Sequence, residues 1–344
     1  METRTLTKKT VSIYFAIAFV LNKAFTVIGN YIVFYLYDLK YDVLEGTGIA
    51  SYYSDALMSV ATFVINILTI AMLIILGNKL TGNKIRTILF VGCYYFGTAF
   101  ASLFSSFITN VFQYLMIHFI SASTGSTIIN IGMFLTLIPA IYASYMAFTA
   151  LEGVNEKVPA HPMTISLSQA RTRYIISFLV TSVISGSIVS VPSFLIALIN
   201  PDAYTFASYA LNFLVYLVQW LSVVISFAVV YIIGYKSTKS HFGAISFYLP
   251  ASALSVPVTA LIGSASGIIT RFLNYANQMK MLEAEAESDS LMMIAGNFPV
   301  VTVITLITGF VTVAVGFVIS FKAFELFYTN TVQGTARYTV QENV

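Results

Sequence analysis

About eight stretches of this chain stay apolar for longer than the core element of a soluble domain requires. They lie at approximately 11–37, 56–77, 85–107, 128–150, 174–199, 205–234, 243–268 and 298–324. Crossing roughly 30 Å of hydrocarbon takes about 20 helical residues. No water is present there to satisfy a free N–H or C=O, so segments of this composition must span as helices. The chain's 58% hydrophobic and 9% charged content agrees, as does a mean hydropathy of +0.85, and both lie outside the range of soluble globules. The expected fold class is an all-α polytopic membrane protein. The first run follows Lys8 and Lys9 as a signal peptide would, yet it is too long for one and lacks a small-x-small cleavage site, so it reads as a retained first helix.

Charge sets the expected orientation. If eight helices alternate in direction, the N-terminus, the loops at 78–86, 151–173 and 235–241, and the C-terminal tail share one side. That side holds thirteen Lys and Arg residues, against Lys40, Arg271 and Lys280 on the other. Such a bias marks the cytoplasmic face, which places both termini inside a plasma membrane protein. Asp38, Asp42, Glu45, Asp55, Asp202, Glu283, Glu285, Glu287 and Asp289 fall on the outer face, where they read as solvated loop surface. The net charge of +3 then reflects topology, and no nucleic acid is expected as a partner. The lipid bilayer is. The three inner loops are the expected docking places for cytosolic or membrane partner subunits.

The chain also repeats itself. "LIILGNKLTGNK" at 73–84 has the layout of "YIIGYKSTKS" at 231–240. Each is an apolar helix end, a glycine and a short basic loop. Laying Gly77 on Gly234 puts Ile88 on Ile245 and Phe90 on Phe247, and "TLI" recurs at 136–138 and 305–307. Two four-helix repeats follow, at 1–150 and 174–344, with a linker over 151–173. An even helix number per copy makes the copies parallel, related by an axis along the membrane normal. Within the linker, Ser166 to Arg173 is expected to form one or two amphipathic turns on the cytoplasmic surface.

Lys23 stands near the middle of the first run, where a charge costs roughly 3 kcal/mol or more unless paired, hydrated or neutralised. No Asp or Glu occurs in another predicted span. Lys23, Thr26 and Asn30 share one helical face, with Asn22 on its flank. Such a stripe faces a bundle interior or a watery cavity. Its lysine either contacts an anionic group or repels cations, or else snorkels and bonds freed carbonyls as a purely structural element. Thr62 and Asn66 on the second helix, and Gln219 on the sixth, add polar groups, Thr62 and Gln219 coinciding in the repeat alignment. Interhelical bonding explains them as readily as a polar path does. The seventh run carries Pro250, Pro257, Gly263 and Gly267 among small residues, which predicts a kinked or broken helix of the kind that marks transport sites. Tight packing of small residues is the competing explanation. The stretch after it, 271–293, is expected to continue the helix or lie on the membrane surface.

Catalytic chemistry has little to work with. There is no Walker A sequence, no H-E-x-x-H, no G-x-S-x-G and no carboxylate pair inside a span. Cys93 is the sole cysteine, and His118, His161 and His241 are widely separated, so neither a disulfide nor a metal or cofactor site is expected. The functional expectation is a transport-type protein, a permease, channel or membrane subunit of a transport or secretion complex, moving a small solute, ion or lipid. The alternative is a non-transporting membrane scaffold or assembly subunit.

Overall fold

The computed structural model describes residues 7–44, 49–118, 132, 135–157, 166–180, 183, 206–238, 244, 247, 255–286, 303, 306–322 and 324–325. Among them the structure is helical throughout, with no strand. The helices are α1 (Lys8–Leu44), α2 (Ala50–Thr81), α3 (Lys84–His118), α4 (Leu137–Lys157), α5 (167–180), α6 (Phe206–Thr238), α7 (Ser255–Ala286) and α8 (Leu306–Lys322). Several run past the apolar limits. Hydropathy ends a segment at the first charges, whereas a helix propagates until a turn or cap stops it.

The caps show this. Thr7 precedes α1 and accepts the Thr10 N–H at 3.3 Å, the bond an N-cap makes. Between α2 and α3 the chain turns at Gly82, whose φ of 61° is open to glycine without strain. Ser166 caps α5 by accepting the Gln169 N–H at 3.3 Å. The turns expected as a separate surface element at 166–173 are therefore the first turns of the helix that continues to residue 180.

Among the described residues two helices are long and apolar enough to cross a membrane, Lys8–Lys40 and Ala50–Thr81, and only 22% of each apolar window is buried. The core helix of a soluble protein would be mostly enclosed. Here Tyr31, Phe34 and Leu39 on α1, and Val64, Ile74 and Ile75 on α2, stand exposed. Shorter apolar stretches occur at Leu137–Thr149, Val224–Ser237 and Leu306–Lys322.

The contacts divide the chain into two compact units. Unit 1 comprises Met1–Phe15, Leu80–Leu254 and Ser320–Val344, and unit 2 comprises Ala16–Lys79 and Ser255–Ile319. Each unit draws on both halves of the sequence, so the spatial division is not the one set by the linker at 151–173.

Unit 1 is held by aromatic side chains and close helix approach. Its helix α3 packs on α4 and α6. Phe15, Phe90 and Phe148, from α1, α3 and α4, are all fully buried. Phe15 stacks on Phe90 at 4.4 Å between centroids, and Phe148 meets both rings edge-on at 5.9 and 6.2 Å. A second trio, Tyr174, Phe247 and Phe324, is equally buried, with Tyr174 stacked on Phe324 at 4.3 Å and Phe247 edge-on to Phe324 at 4.9 Å. Such pairs add about 0.5–1.5 kcal/mol each beyond burial. Gly97 lets α3 approach α4 closely. A Cβ there would meet the Ser144 side chain and sit 2.5 Å from the Ala140 carbonyl oxygen.

Polar contacts close the second trio. Arg173 donates to Ser237 Oγ at 2.8 Å. The Glu325 carboxylate pairs with Lys322 at 2.9 Å and Arg171 at 2.8 Å. Chiefly the hydrogen bond and charge of Lys322, with Arg171 adding to them against a partial desolvation cost, hold that carboxyl below its usual range.

Candidate functional site

The polar residues of the expected stripe gather in unit 2, on the facing surfaces of α1, α2 and α7. Helix α2 is antiparallel to both neighbours, as its contacts establish. Moving along α2 from Tyr53 through Asp55 and Ser59 to Asn66, the partners on α7 descend from Tyr275 through Arg271 and Gly267 to Ser264 and Ala260. On the α1 side, Ala61 and Ile65 lie against Gly29, and Thr69 reaches Asn22.

One strong bond ties α1 to α2: the buried Thr69 hydroxyl donates to Asn22 Oδ1 at 2.7 Å. Thr26 turns its hydroxyl back onto the Asn22 carbonyl at 3.0 Å, which satisfies it within α1. Lys23 is half-buried on this face beside Asn22. On the other side of α2, the Asn66 amide donates to the Ala260 carbonyl at 3.5 Å and to Ser264 Oγ at 3.4 Å, while Ser264 donates to its own Ala260 carbonyl at 2.8 Å. Further along, Arg271 donates to the Asp55 carbonyl at 3.1 Å.

Asn30 is exposed and opens onto a cleft of about 690 Å³. Val33, Phe34 and Tyr37 of α1 line it with Ala50, Ser51, Ser54 and Met58 of α2. The stripe thus divides by environment. At Asn22 it is bonded to α2, and at Asn30 it meets the cleft.

Other expected residues are placed differently. Thr62 is exposed and donates to its own Met58 carbonyl at 2.7 Å, so it takes no part in this network. Gln219 lies on α6 of unit 1, and its side chain is outside the described residues, as is Pro250. The break expected in the seventh run does not occur at Gly263 or Gly267, because α7 is one continuous helix from Ser255 to Ala286. Pro257 is the third residue of α7, where its missing N–H interrupts no bond within the described helix. A mid-helix glycine costs about 1 kcal/mol in propensity, and packing requires it at neither position: a Cβ at Gly267 would make an ordinary contact 3.9 Å from Ser59 Oγ, and one at Gly263 would meet nothing within 4 Å. The stretch from Arg271 to Ala286 continues the same helix.

Thr69 and Ser264 are the polar partners that the sequence reading missed. The signal was present: Ser59, Thr62, Asn66 and Thr69 recur at intervals of three, four and three, a helical face of which only Thr62 and Asn66 were read. Among the described residues no three metal-ligating side chains gather. The chain matches no protein-family model, no curated protein and no solved structure.

Proposed function

We propose that the chain is an integral membrane protein of transport type, built from two parallel four-helix copies with both termini cytoplasmic, whose substrate path runs along the polar face of α1. Its cargo is a small solute, ion or lipid. The observation that carries this reading is the polar face of unit 2, which begins at Lys23 and Asn22, inside an apolar helix, and ends at Asn30 in an open cleft. A lysine inside an apolar helix is rare and suits a protein that must select or hold charge.

The pattern of burial supports the two copies. Val11, Phe15 and Ala18 on α1 are buried at the same intervals as Ala170, Tyr174 and Ser177 on α5. Leu73 and Gly77 on α2 match Val230 and Gly234 on α6, and Thr87 and Phe90 match Ala244 and Phe247. Ser144 and Phe148 on α4 match Ser320 and Phe324. The two aromatic trios are thereby equivalent members of the copies, although a different pair is stacked in each. The basic loops at 78–86, 151–173 and 235–241 face inward in this arrangement and are the surfaces offered to any partner subunit or energy-supplying ATPase.

A second reading, a non-transporting scaffold, is favoured by the bonds of Asn22 to Thr69 and of Asn66 to Ser264, which work equally well as glue between helices. One experiment separates the two. In a Cys93→Ser background, a single cysteine at position 23 is challenged with membrane-impermeant thiol reagents from each side. The transport reading expects labelling from at least one side. An unlabelled Lys23→Cys protein, together with a Lys23→Met variant as stable as the parent, establishes the scaffold.

A further inference from the structure

We propose that the cleft between α1 and α2 is a binding site for an uncharged amphiphile of the acylglycerol type, its glycerol head in the cleft and its acyl tail in the bilayer. The inference rests on the membrane orientation given above, though not on movement of the ligand.

Depth comes first. Asn30 lies seven residues beyond Lys23 and Tyr37 seven beyond Asn30, each step about 10 Å along a helix. With Lys23 near the midplane of a layer about 30 Å thick, Asn30 sits about 5 Å inside the hydrocarbon and Tyr37 about 5 Å outside it. The cleft therefore straddles the boundary at which a lipid changes from polar to apolar. Its volume of about 690 Å³ falls within the roughly 300–1,000 Å³ typical of small-molecule sites.

The lining matches that position. Ser51, Ser54 and Tyr37 contribute hydroxyls toward the outer end, and the exposed Asn30 contributes a carboxamide, both donor and acceptor, at the deeper end. Val33 is buried and Met58 half-buried between them. Phe34, 68% exposed, forms an apolar flank over which a tail can leave the cleft. Glycerol hydroxyls suit the outer end, and an ester directed downward suits Asn30. Among the described residues lining the cleft none is charged, and enclosing a phosphate without a counter-charge costs several kcal/mol. The chemistry therefore selects a neutral head over an anionic one.

The test uses the full chain in lipid nanodiscs with two photoreactive probes of equal tail length, a diazirine monoacylglycerol and a diazirine phosphatidic acid. Adducts are mapped by mass spectrometry. The expected result is monoacylglycerol adducts on residues 30–37 and 50–58, competed by unlabelled monoacylglycerol and reduced about tenfold by filling the cleft with Ser54→Phe, a loss of about 1.4 kcal/mol in binding. Ser51→Trp, at an exposed position, serves if Ser54→Phe does not fold. Equal labelling of these residues by phosphatidic acid, or labelling that neither cleft-filling variant lowers, overturns the proposal. Cleft adducts on a protein whose position 23 stays unlabelled by thiol reagents leave this site standing and remove the transport reading.

Discussion

Unit 1 and unit 2 are assembled from similar helices by different means. Unit 1 chiefly interlocks shape, through two buried aromatic trios and a glycine that brings α3 onto α4, with the Arg173–Ser237 bond and the Glu325 ion pairs at the edge of the second trio. Unit 2 relies on hydrogen bonds between polar side chains and backbone, from Asn22 and Thr69 to Asn66, Ser264 and the Arg271–Asp55 contact. The contrast has a physical basis. In a bilayer, lipid tails are as apolar as leucine, so apolar contact alone gives helices little reason to associate. What remains is close packing, where dispersion rewards complementary surfaces, and hydrogen bonding, whose alternative is an unsatisfied group in hydrocarbon. Packing is rigid and needs no solvent. Polar contacts can be exchanged for water or a ligand, which suits the unit that contains the cleft.

The contrast is sharpest in stability. Phe90→Ala and Phe247→Ala each remove one ring of a trio and leave a ring-sized void, which is expected to cost about 3 kcal/mol or more. Unfolding in mixed micelles measures it, and comparable losses for the two variants are expected from their equivalent places. Next in size is Asn66→Leu in unit 2, expected to cost about 0.6 kcal/mol and no more than about 1.7, the range of polar pairs within membranes. If Asn66→Leu proves as damaging as Phe90→Ala, the two units do not differ in the way described.

The smallest effect concerns Glu325. Its carboxyl is held below the usual range by Lys322 and Arg171, so its contribution is present above the ordinary carboxylate value and is lost as pH falls through the lowered one. The pair is near the surface, and the expected loss is below about 1 kcal/mol. Thermal unfolding of the parent and of Glu325→Gln across pH 3 to 6 should converge at the acid end. Curves that stay parallel would show that the ion pairs add nothing.

Much of the helical layout was legible, because apolar runs and local caps are short-range signals. Thr7, the turn at Gly82 and the polar face on α1 are all readable from neighbouring residues. The aromatic trios were not. In a chain that is 15% aromatic, nothing local distinguishes Phe15 or Phe148 from rings that face lipid, since their identity depends on partners far along the chain. Helix α7 misled for a related reason. Glycine and serine weaken a helix in isolation, yet Ser255–Ala286 is one continuous helix, in which Ser264 bonds its own Ala260 carbonyl and meets Asn66 of α2. The stripe at Lys23 was visible, whereas the closing partner, Thr69, required knowing that α2 runs antiparallel at that register.

The polar joints of α2 are unequal. Toward α1 the Thr69 hydroxyl and Asn22 meet at 2.7 Å, but toward α7 the Asn66 amide spans 3.4 and 3.5 Å to acceptors one of which already serves α7 itself. A hydrogen bond at the limit of its length is weak and loses little on parting. Helix α2 is thus held to α1 by a short side-chain bond and to α7 by two long amide contacts together with the Arg271 bond to the Asp55 carbonyl at 3.1 Å, a seam of many weak links in place of one strong one.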